Sequence, residues 1–400
     1  MKKGWQTKNL GEVIKLLSGQ HIEAKDYNTE SRGIGYLTGP SDFGLISPII
    51  TKWTEFPKVK ATSGDVLITV KGSGVGKINL LNIPEVAISR QLMAIRITGA
   101  DPRFIYAFLG SSFDHFQSES TGAAIPGISR EQVLGLKIAV PPLPEQQRIV
   151  GILDAAFEGL ATAKANAEKN LHNARALFAS HLQAVFSQRS LNGVEGRGMG
   201  WVEKTFEEVV HADCSLSYGI VQPGEEYANG LPIVRPTDLG AGTICLDGLK
   251  RINPKLADGY KRTTLQGHEL LLCVRGSTGV VSKAAPELAG GNVTRGIVPI
   301  RFDSKLITQD FGYYLVCSGP VQSQISEKTY GTALMQINIR DLRVLELSFP
   351  SIKEQCSLVE KLDALTAETQ RLAAIYQQKL AALEALKKSL LHQAFNGELR

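Results

Sequence analysis

Two glycine-rich turns, one in each half of the chain, carry the side chains best suited to bind an anion. The candidates are basic or hydroxyl residues in or near these turns: Lys71, Ser73, Lys77 and Arg90 in the first half, and Arg275, Ser277, Lys283 and Arg295 in the second. Guanidinium and ammonium groups beside hydroxyls and exposed backbone amides suit phosphate oxygens and the edges of guanine. These residues are therefore predicted to form a DNA-binding surface.

The same residues also have a purely structural interpretation, which the sequence leaves open. The glycines could simply turn a hairpin, and Arg90 and Arg295 could pair with carboxylates on the surface. The segment GSGVGK at residues 72–77 is not a nucleotide-binding loop, because it lacks the four-residue spacing before Gly-Lys and the Ser or Thr after it. Its counterpart GSTGVV at residues 276–281 has no lysine. A turn whose glycines supply positive φ angles is the better interpretation of both segments.

The sequence contains no recognisable catalytic or metal-binding pattern. Its seven histidines do not cluster with acidic residues or cysteines at metal-ligand spacing. Pro141-Pro142 is neither preceded by Asn or Asp nor followed by Tyr or Phe, so the tetrapeptide that holds a flipped adenine in amino-methyltransferases is absent. We therefore expect that the chain is not an enzyme by itself and holds no cofactor of its own.

The length of 400 residues indicates two or three domains, and cysteine usage points to the cytoplasm. Five cysteines lie scattered in the second half and are never spaced as CxxC, which favours reduced buried thiols over disulfides or a zinc site. No run of eighteen apolar residues is present, so no membrane span is expected. The net charge of +5 permits a nucleic acid partner without requiring one.

Most of the chain is present twice. The segment GWQTKNLGEV at residues 4–13 recurs as GWVEKTFEEV at residues 200–209, and DVLITVKGS at residues 65–73 recurs as ELLLCVRGS at residues 269–277. The runs LMAIRIT and IVPIRF that follow are predicted to be half-exposed strands. The predicted fold class is α+β, with two tandem domains that are each followed by a long helix. The predicted bounds are 1–143 for the first domain, 144–187 for the first helix, 188–200 for a Gly-rich linker, 201–352 for the second domain and 353–396 for the second helix.

Each predicted long helix carries a narrow apolar seam. Steps of four and three residues alternate through Ile149, Leu153, Ala156, Leu160, Ala163 and Ala167, and through Leu358, Leu362, Leu365, Thr369, Leu372 and Tyr376. This spacing is typical of two helices that pack on each other, and two independent surface helices are the alternative. The aromatic residues near the seams are predicted to contact partner proteins: Phe157, Phe178, Tyr376 and Phe395.

Three segments resemble the specificity (S) subunit of type I restriction-modification systems. These are the two helix openings, VPPLPEQQRIV at residues 140–150 and FPSIKEQCSLV at residues 349–359, and the ending LLHQAFNGELR at residues 390–400. The resemblance covers essentially the whole chain. It implies that each domain is a target recognition domain and that the two helices form an antiparallel coiled coil that separates the domains.

The resemblance also implies a function and partners. A non-catalytic subunit of this family would read an asymmetric, bipartite double-stranded DNA target and recruit two methyltransferase (M) subunits, with restriction (R) subunits possible, for adenine N6 methylation or restriction. S-adenosylmethionine, ATP and Mg²⁺ would then belong to those partners. Two alternatives stay open: a protein–protein scaffold whose globular units bind peptides, and a stand-alone DNA-modifying enzyme. Salt-sensitive duplex binding tests the first alternative, and a methylation assay of the purified chain tests the second.

Overall fold

The protein folds as two compact units, and each of its two longest helices contributes to both. The computed structural model describes residues 4–44, 47–120, 126–187, 200–240, 242–332 and 334–399. Unit 1 comprises Met1–Lys169 with Tyr376–Arg400, and unit 2 comprises Asn170–Ile375. The predicted linker at residues 188–200 lies outside the described residues, apart from Gly200.

Unit 1 combines short strands and helices with one part of each long helix. In chain order its elements are β1 (Gln6–Asn9), β2 (Ile14–Ser18), β3 (Ile34–Leu37), β4 (Trp53–Thr54), β5 (Lys60–Thr62), β6 (Val66–Thr69), β7 (Ile78–Leu80), β8 (Glu85–Ile88), β9 (Leu92–Ile97), α1 (Pro102–Ser111), α2 (Phe113–Glu119), α3 (Arg130–Leu134), β10 (Lys137–Val140) and α4 (Leu143–Ser187), which continues into unit 2. The strands form two sheets, ordered β2-β9-β6-β7 and β4-β3-β8-β5, and the antiparallel pair β1-β10.

Unit 2 repeats this arrangement with different loops. Its elements are β11 (Val202–Thr205), α5 (Phe206–Val209), β12 (Leu231–Val234), β13 (Thr243–Ile244), β14 (Lys250–Ile252), β15 (Leu270–Cys273), β16 (Val281–Ala284), β17 (Asn292–Val293), β18 (Ile297–Ile300), α6 (Gln309–Cys317), α7 (Gly319–Glu327), α8 (Ile339–Arg343), β19 (Glu346–Phe349) and α9 (Ile352–Asn396), which continues into unit 1. The sheets are β13-β16-β15-β18 and β14-β12-β17, with the pair β11-β19. In both units the first strand pairs with the last one before the long helix.

The strands β9 and β18 lie inside the core, so the prediction that they are half-exposed was wrong. Residues 92–95 of β9 and all four residues of β18 are buried. In β9, Met93 and Ile95 face one apolar cluster, whereas Leu92 and Ala94 face another. A strand covered on both faces is buried throughout, whatever alternation its sequence shows.

A buried glutamine anchors the start of each long helix. Gln146 donates through Nε2 to the carbonyl oxygen of Pro141 (2.8 Å), and its Oε1 accepts from the backbone N–H of the residue that caps α1 (2.7 Å). Gln355 makes the same two kinds of bond, with Pro350 and with the residue that caps α6, at 2.9 Å each. Because both side chains are at most 2% exposed, the repeated glutamine has a structural reason. It ties the helix start to the globular part of its unit.

The two long helices pack against each other in opposite directions. In unit 1 the first part of α4 meets the last part of α9, where Lys164 Nζ lies 2.7 Å from Glu384 Oε1. In unit 2 the end of α4 and the start of α9 share an apolar cluster that contains Leu182, Phe186 and Leu362. The predicted seam positions are buried or half-buried. The antiparallel coiled coil is therefore confirmed, and two independent surface helices are excluded.

Candidate nucleic-acid interface

In unit 1 the ends of β6 and β9 bring two of the predicted cations together. The strands are antiparallel, and beyond their last pair the Val70 N–H donates to the Gln91 carbonyl oxygen at 2.8 Å. Lys71 directly follows Val70, and Arg90 directly precedes Gln91 in the turn that leads into β9. Both side chains are exposed. Two positive charges therefore share one edge of the unit.

Unit 2 has the same pair at the same place. Beyond the last pair of β15 and β18, the Val274 N–H donates to the Gly296 carbonyl oxygen at 2.8 Å. Arg275 directly follows Val274, and Arg295 directly precedes Gly296 in the turn that leads into β18. Arg275 is half-buried and Arg295 is exposed. We call the edge around each pair the cation edge of its unit.

The glycine-rich segments close these edges, and they form turns with positive φ angles as predicted. Gly72 and Gly276 adopt φ angles of 95° and 92°, a region that favours glycine. Their N–H groups donate to the carbonyl oxygens of Pro126 and Met335, at 2.8 Å in each case. The remaining predicted side chains of the turns are exposed: Ser73, Lys77 and Ser277.

The arginines of the cation edges do not form the surface ion pairs that the structural alternative requires. Within the described ranges, no carboxylate lies within 4.0 Å of a nitrogen of Arg90 or Arg295. Arg295 instead stands over the ring of Tyr218, 5.9 Å from its centre. Burial raises the pKa of the Tyr36 phenol, and the positive charge of nearby Arg90 opposes that rise. Both arginines keep a charge that a bound anion can neutralise.

Lys283 lies away from the cation edge of unit 2. It pairs with Leu270, at the opposite end of β15 from Arg275. Its ammonium is 2.7 Å from Asp310 Oδ1 and stands 4.9 Å from the centre of the Tyr313 ring. The structure therefore gives Lys283 intramolecular partners and does not bring it to the other predicted residues.

Each unit also has a short 3-10 turn that the sequence analysis did not identify. The turns are Pro40–Asp42 and Pro236–Asp238. In each, the carboxylate of the last residue accepts from a backbone N–H before the turn, that of Thr38 at 2.5 Å and that of Arg235 at 2.8 Å. The signal was present in the sequence as TGPSD at residues 38–42 and RPTD at residues 235–238.

These proline turns are part of the cation edges. Pro40 Cγ lies 2.7 Å from the point where a Cβ would stand on Gly74, inside the glycine-rich turn. Pro236 Cγ lies 2.5 Å from the corresponding point on Gly296, directly after Arg295. Only glycine allows this close approach, so the two turns and the cations form one surface in each unit.

In each unit, an ion pair between a buried carboxylate and an arginine braces the strands that carry the cation edge. Arg96 lies 2.7 Å from Asp65, and Arg301 lies 2.5 Å from Glu269. Glu269 is fully buried, and burial alone would raise the pKa of its carboxyl group. Its bonds with Arg301 and with backbone N–H groups, including that of Gln266, outweigh burial and hold the pKa of Glu269 below its ordinary value.

Both halves of the chain match one known family. Residues 2–170 and residues 200–384 both match the family described as "Type I restriction modification DNA specificity domain". These two matches cover well over half of the chain. The chain belongs to this family. It carries two DNA specificity domains, as its resemblance to S subunits implied.

Named relatives agree with this assignment. The EcoBI type I restriction enzyme specificity subunit of Escherichia coli is 23% identical over 313 residues, which cover 74% of this chain and 65% of that protein. The MjaVIII specificity subunit of Methanocaldococcus jannaschii is 21% identical over 425 residues, covering 99% of this chain and 93% of that protein. The match thus spans just under two thirds of the first relative and nearly all of the second. Specificity subunits are recognition subunits, so this family member is non-catalytic.

Solved structures share the fold. A chain from a type I restriction-modification system superposes with a TM-score of 0.79 at 20% identity, covering 100% of this chain and 99% of that chain. The HsdS subunit from Thermoanaerobacter tengcongensis gives a TM-score of 0.61 at 19% identity, covering 100% and 98%. At these identities the likeness shows the specificity-subunit fold.

In this specificity subunit, three of the four aromatic residues predicted to contact partners lie in unit 1, and two of these three have aromatic or cationic neighbours there. Phe395 is 9% exposed and packs edge-on against Phe104 and Phe108, with ring centres 5.3 and 5.4 Å away. Its ring belongs to the core of its own unit, so little of it is left for a partner to contact. Phe157 is half-buried beneath the ammonium of Lys387, which lies 5.4 Å from the ring centre.

The other two aromatic residues are also half-buried. Phe178 lies 6.1 Å from the ring of Tyr314 and packs on the core of unit 2. Tyr376, at the start of the unit 1 part of α9, is half-buried. More exposed apolar side chains stand elsewhere on the same helices, with Leu177 at 49% and Ile375 at 42%. A partner role for the four aromatic residues stays a prediction.

In the residues that the structure describes, no cluster of three or more His, Cys, Asp or Glu side chains could hold a metal ion. Helices in those same ranges are nowhere long and apolar enough to cross a membrane. The cysteines are free, and although Cys214 and Cys273 are buried as predicted, Cys245 and Cys356 are exposed.

Proposed function

We propose that the chain reads an asymmetric, bipartite duplex target, with each cation edge bound to one half-site. The observation that carries this proposal is the repetition of one surface: two cations on neighbouring strand ends, closed by a glycine-rich turn and a proline turn. A structural hairpin has no need for a second cation beside the first. Phosphate groups of a duplex supply the missing negative charge.

The two half-sites should differ in sequence, because the two edges differ. Unit 1 presents Lys71 and Arg90 beside Thr38, whereas unit 2 presents Arg275 and Arg295 beside an arginine at position 235. Phosphate contacts position a protein on DNA, and the side chains around them distinguish the bases. Base pairs between the half-sites would be left unread.

The chemistry belongs to partner subunits in this proposal. Two methyltransferase (M) subunits would bind the chain and methylate adenine N6, which requires the base to be flipped out of the stack. Restriction (R) subunits would join the same complex. S-adenosylmethionine would lie on the methyltransferase subunits and ATP with Mg²⁺ on the restriction subunits. The complex would act in the cytoplasm.

The long helices are the proposed docking surface for the methyltransferase subunits. Leu177, Ile375 and Leu386 lie on these helices and are 42–49% exposed. Exposed apolar side chains on a helix that already packs on a second helix suit a further protein surface. Of the predicted aromatic residues, half-buried Phe157, Phe178 and Tyr376 would support this surface from below.

One experiment tests the function in the cell. A host that carries the cognate methyltransferase subunits is grown with and without the intact gene for this chain, and N6-methyladenine is mapped across the genome. We expect one asymmetric, two-part motif that appears only with the intact gene. A motif that does not depend on the gene, or no motif at all, would contradict the proposal.

A second experiment separates DNA recognition from a peptide-binding scaffold. Binding of the full chain to a duplex that carries the mapped motif is measured between 50 and 200 mM salt. Four phosphate contacts, two per unit, predict a log–log slope of about −3.6, so that affinity falls by roughly 150-fold over this range. Binding that does not change with salt would favour the scaffold.

A further inference from the structure

Arg235 in unit 2 differs from the other cations of its edge. Its Nε donates to Asp238 Oδ2 at 3.1 Å and its Nη2 donates to Asp238 Oδ1 at 2.8 Å. The guanidinium is therefore held side-on by a carboxylate that is itself only 12% exposed. By contrast, the described residues place no carboxylate within 4.0 Å of a side-chain nitrogen of Arg275 or Arg295.

The turn does not need this arginine. In unit 1 the equivalent Asp42 accepts from the N–H and the hydroxyl of Thr38, at 2.5 and 2.9 Å, and closes the same proline turn without a guanidinium. Both units thus share the proline turn and its aspartate, and only unit 2 adds the Arg235 side chain to it. It is 39% exposed, so its free edge reaches solvent.

The position of Arg235 is within the cation edge. It follows β12, whose last residue Val234 accepts from the Thr294 N–H at 2.9 Å. On its other side, Pro236 packs on Gly296. Arg235 is therefore bracketed by contacts with the two residues that flank Arg295.

The geometry points to Arg235 as a guanine reader, and we propose that it contacts the O6 and N7 atoms of one guanine in the unit 2 half-site. This inference rests on the proposed function. Side-on pairing occupies Nε and one hydrogen of Nη2, which leaves the end-on fork of Nη1 and Nη2 free. That fork matches the two acceptors of guanine in the major groove.

The carboxylate decides between a base and a phosphate. Asp238 neutralises the charge of Arg235 and would repel a phosphate brought beside it. It also fixes the plane of the guanidinium, which a hydrogen-bonding base edge requires. Arg275 and Arg295, whose charges have no such partner in the described residues, are suited to phosphates instead. Unit 1 has Thr38 at the equivalent position and should not read guanine in this way.

The test uses the full chain in complex with its methyltransferase subunits and duplexes that carry the mapped motif. Each guanine of both half-sites is replaced in turn by 7-deazaguanine, which lacks N7, or by adenine, which lacks O6. For the wild-type complex we expect one guanine at which both replacements weaken binding. For Arg235→Ala we expect the preference at that position to fall by roughly 5- to 150-fold, with other positions unchanged.

Two further variants keep the test decisive. Arg235→Lys retains a positive charge but has no fork, so it should lose the preference as Arg235→Ala does. Lys255→Ala removes an exposed cation near Ile252, at the opposite end of β12, and should change nothing. A thermal unfolding curve for each variant confirms that it is folded.

Three outcomes would overturn the inference. The first is a wild-type complex whose unit 2 half-site contains no guanine sensitive to both replacements. The second is an Arg235→Ala variant that keeps the preference for guanine at that position. The third is an Arg235→Ala variant whose binding weakens equally on all duplexes, as loss of a phosphate contact would do. If the wild-type complex selects no sequence in either half-site, the proposed function itself fails, and that result is distinct from these three.

Discussion

At the scale of single residues, Arg90 and Arg295 are the most informative predicted positions. They occupy matched places in the two cation edges, and neither has a carboxylate partner in the described ranges. The charge of Arg235 is neutralised by a carboxylate, whereas in the described ranges those of Arg90 and Arg295 are not. A difference in pairing therefore predicts a difference in role, phosphate binding for the first two and base reading for the third.

Arg90→Ala and Arg295→Ala should each weaken DNA binding uniformly. Loss of one phosphate contact reduces the salt slope by about 1 and lowers affinity for cognate and mismatched duplexes by the same factor. The measurement is binding of the full chain to both duplexes at several salt concentrations. Weakening confined to one base position would show that the arginine reads a base, and no change on either duplex would return it to a structural role.

Glu269 makes a prediction about acid stability. Because its folded pKa lies below the ordinary value of 4.5, the ionised carboxylate stabilises unit 2 above that value. This stabilisation is lost as the pH falls from 4.5 through the folded pKa. Glu269→Gln should destabilise the chain by about 3–5 kcal/mol at pH 7, since it leaves Arg301 with no anionic partner at that position.

Thermal unfolding of the full chain between pH 7 and pH 3 checks this expectation. The variant should show a flatter loss of stability below pH 4.5 than the wild type. Asp65→Asn in unit 1 is the matched control, with a smaller effect, because its partner Arg96 is 40% exposed and solvent screens that pair. Equal stability of Glu269→Gln and wild type at pH 7 would refute the bracing role.

At the scale of elements, the two long helices combine an internal seam with an outer surface. The seam residues and Phe395 are used inside the two units. We expect the docking surface to use other positions, namely the exposed Leu177, Ile375 and Leu386 of α4 and α9.

Leu177→Glu and Ile375→Glu should each abolish co-purification with the methyltransferase subunit. A buried, unpaired carboxylate in an apolar interface is costly, whereas on the free chain both side chains remain exposed. The unfolding temperature of the isolated chain should therefore stay unchanged. Leu256→Glu, at an exposed leucine outside the long helices, is the control and should keep co-purification. Retention of the partner by both helix variants would exclude these side chains from the interface.

At the scale of the whole molecule, the two units are similar readers with separate cores. The strands β1 and β10 pair with each other, so residues 1–140 contain both ends of the globular part of unit 1. The core is completed by the long helices, where Phe395 packs against Phe104 and Phe108.

Exchange of residues 1–140 for those of another family member should change one half-site only. The donor must keep aromatic or large apolar residues opposite Phe395, because loss of this packing would cost about 3–5 kcal/mol. The methylated motif of the chimera is the measurement. A change in both half-sites would show that the units read DNA jointly.

The sequence by itself determined the duplication and the long helices, and it singled out the candidate cations. These features depend on local pattern: a 4-3 seam has one buried face, Gly-Ser after a short apolar run turns the chain, and a repeat places equivalent residues in equivalent positions. The same logic identified Lys71, Arg90, Arg275 and Arg295. It could not exclude a role of each as surface charge.

Only the tertiary structure decided which side chains meet. Burial of β9 and β18 on both faces, the ion pair between Lys283 and Asp310, and the core position of Phe395 all depend on contacts between residues far apart in the chain. The same holds for the glutamine anchors. A side chain is neutralised, buried or free according to what packs beside it, and its own spacing in the sequence carries no record of that neighbour.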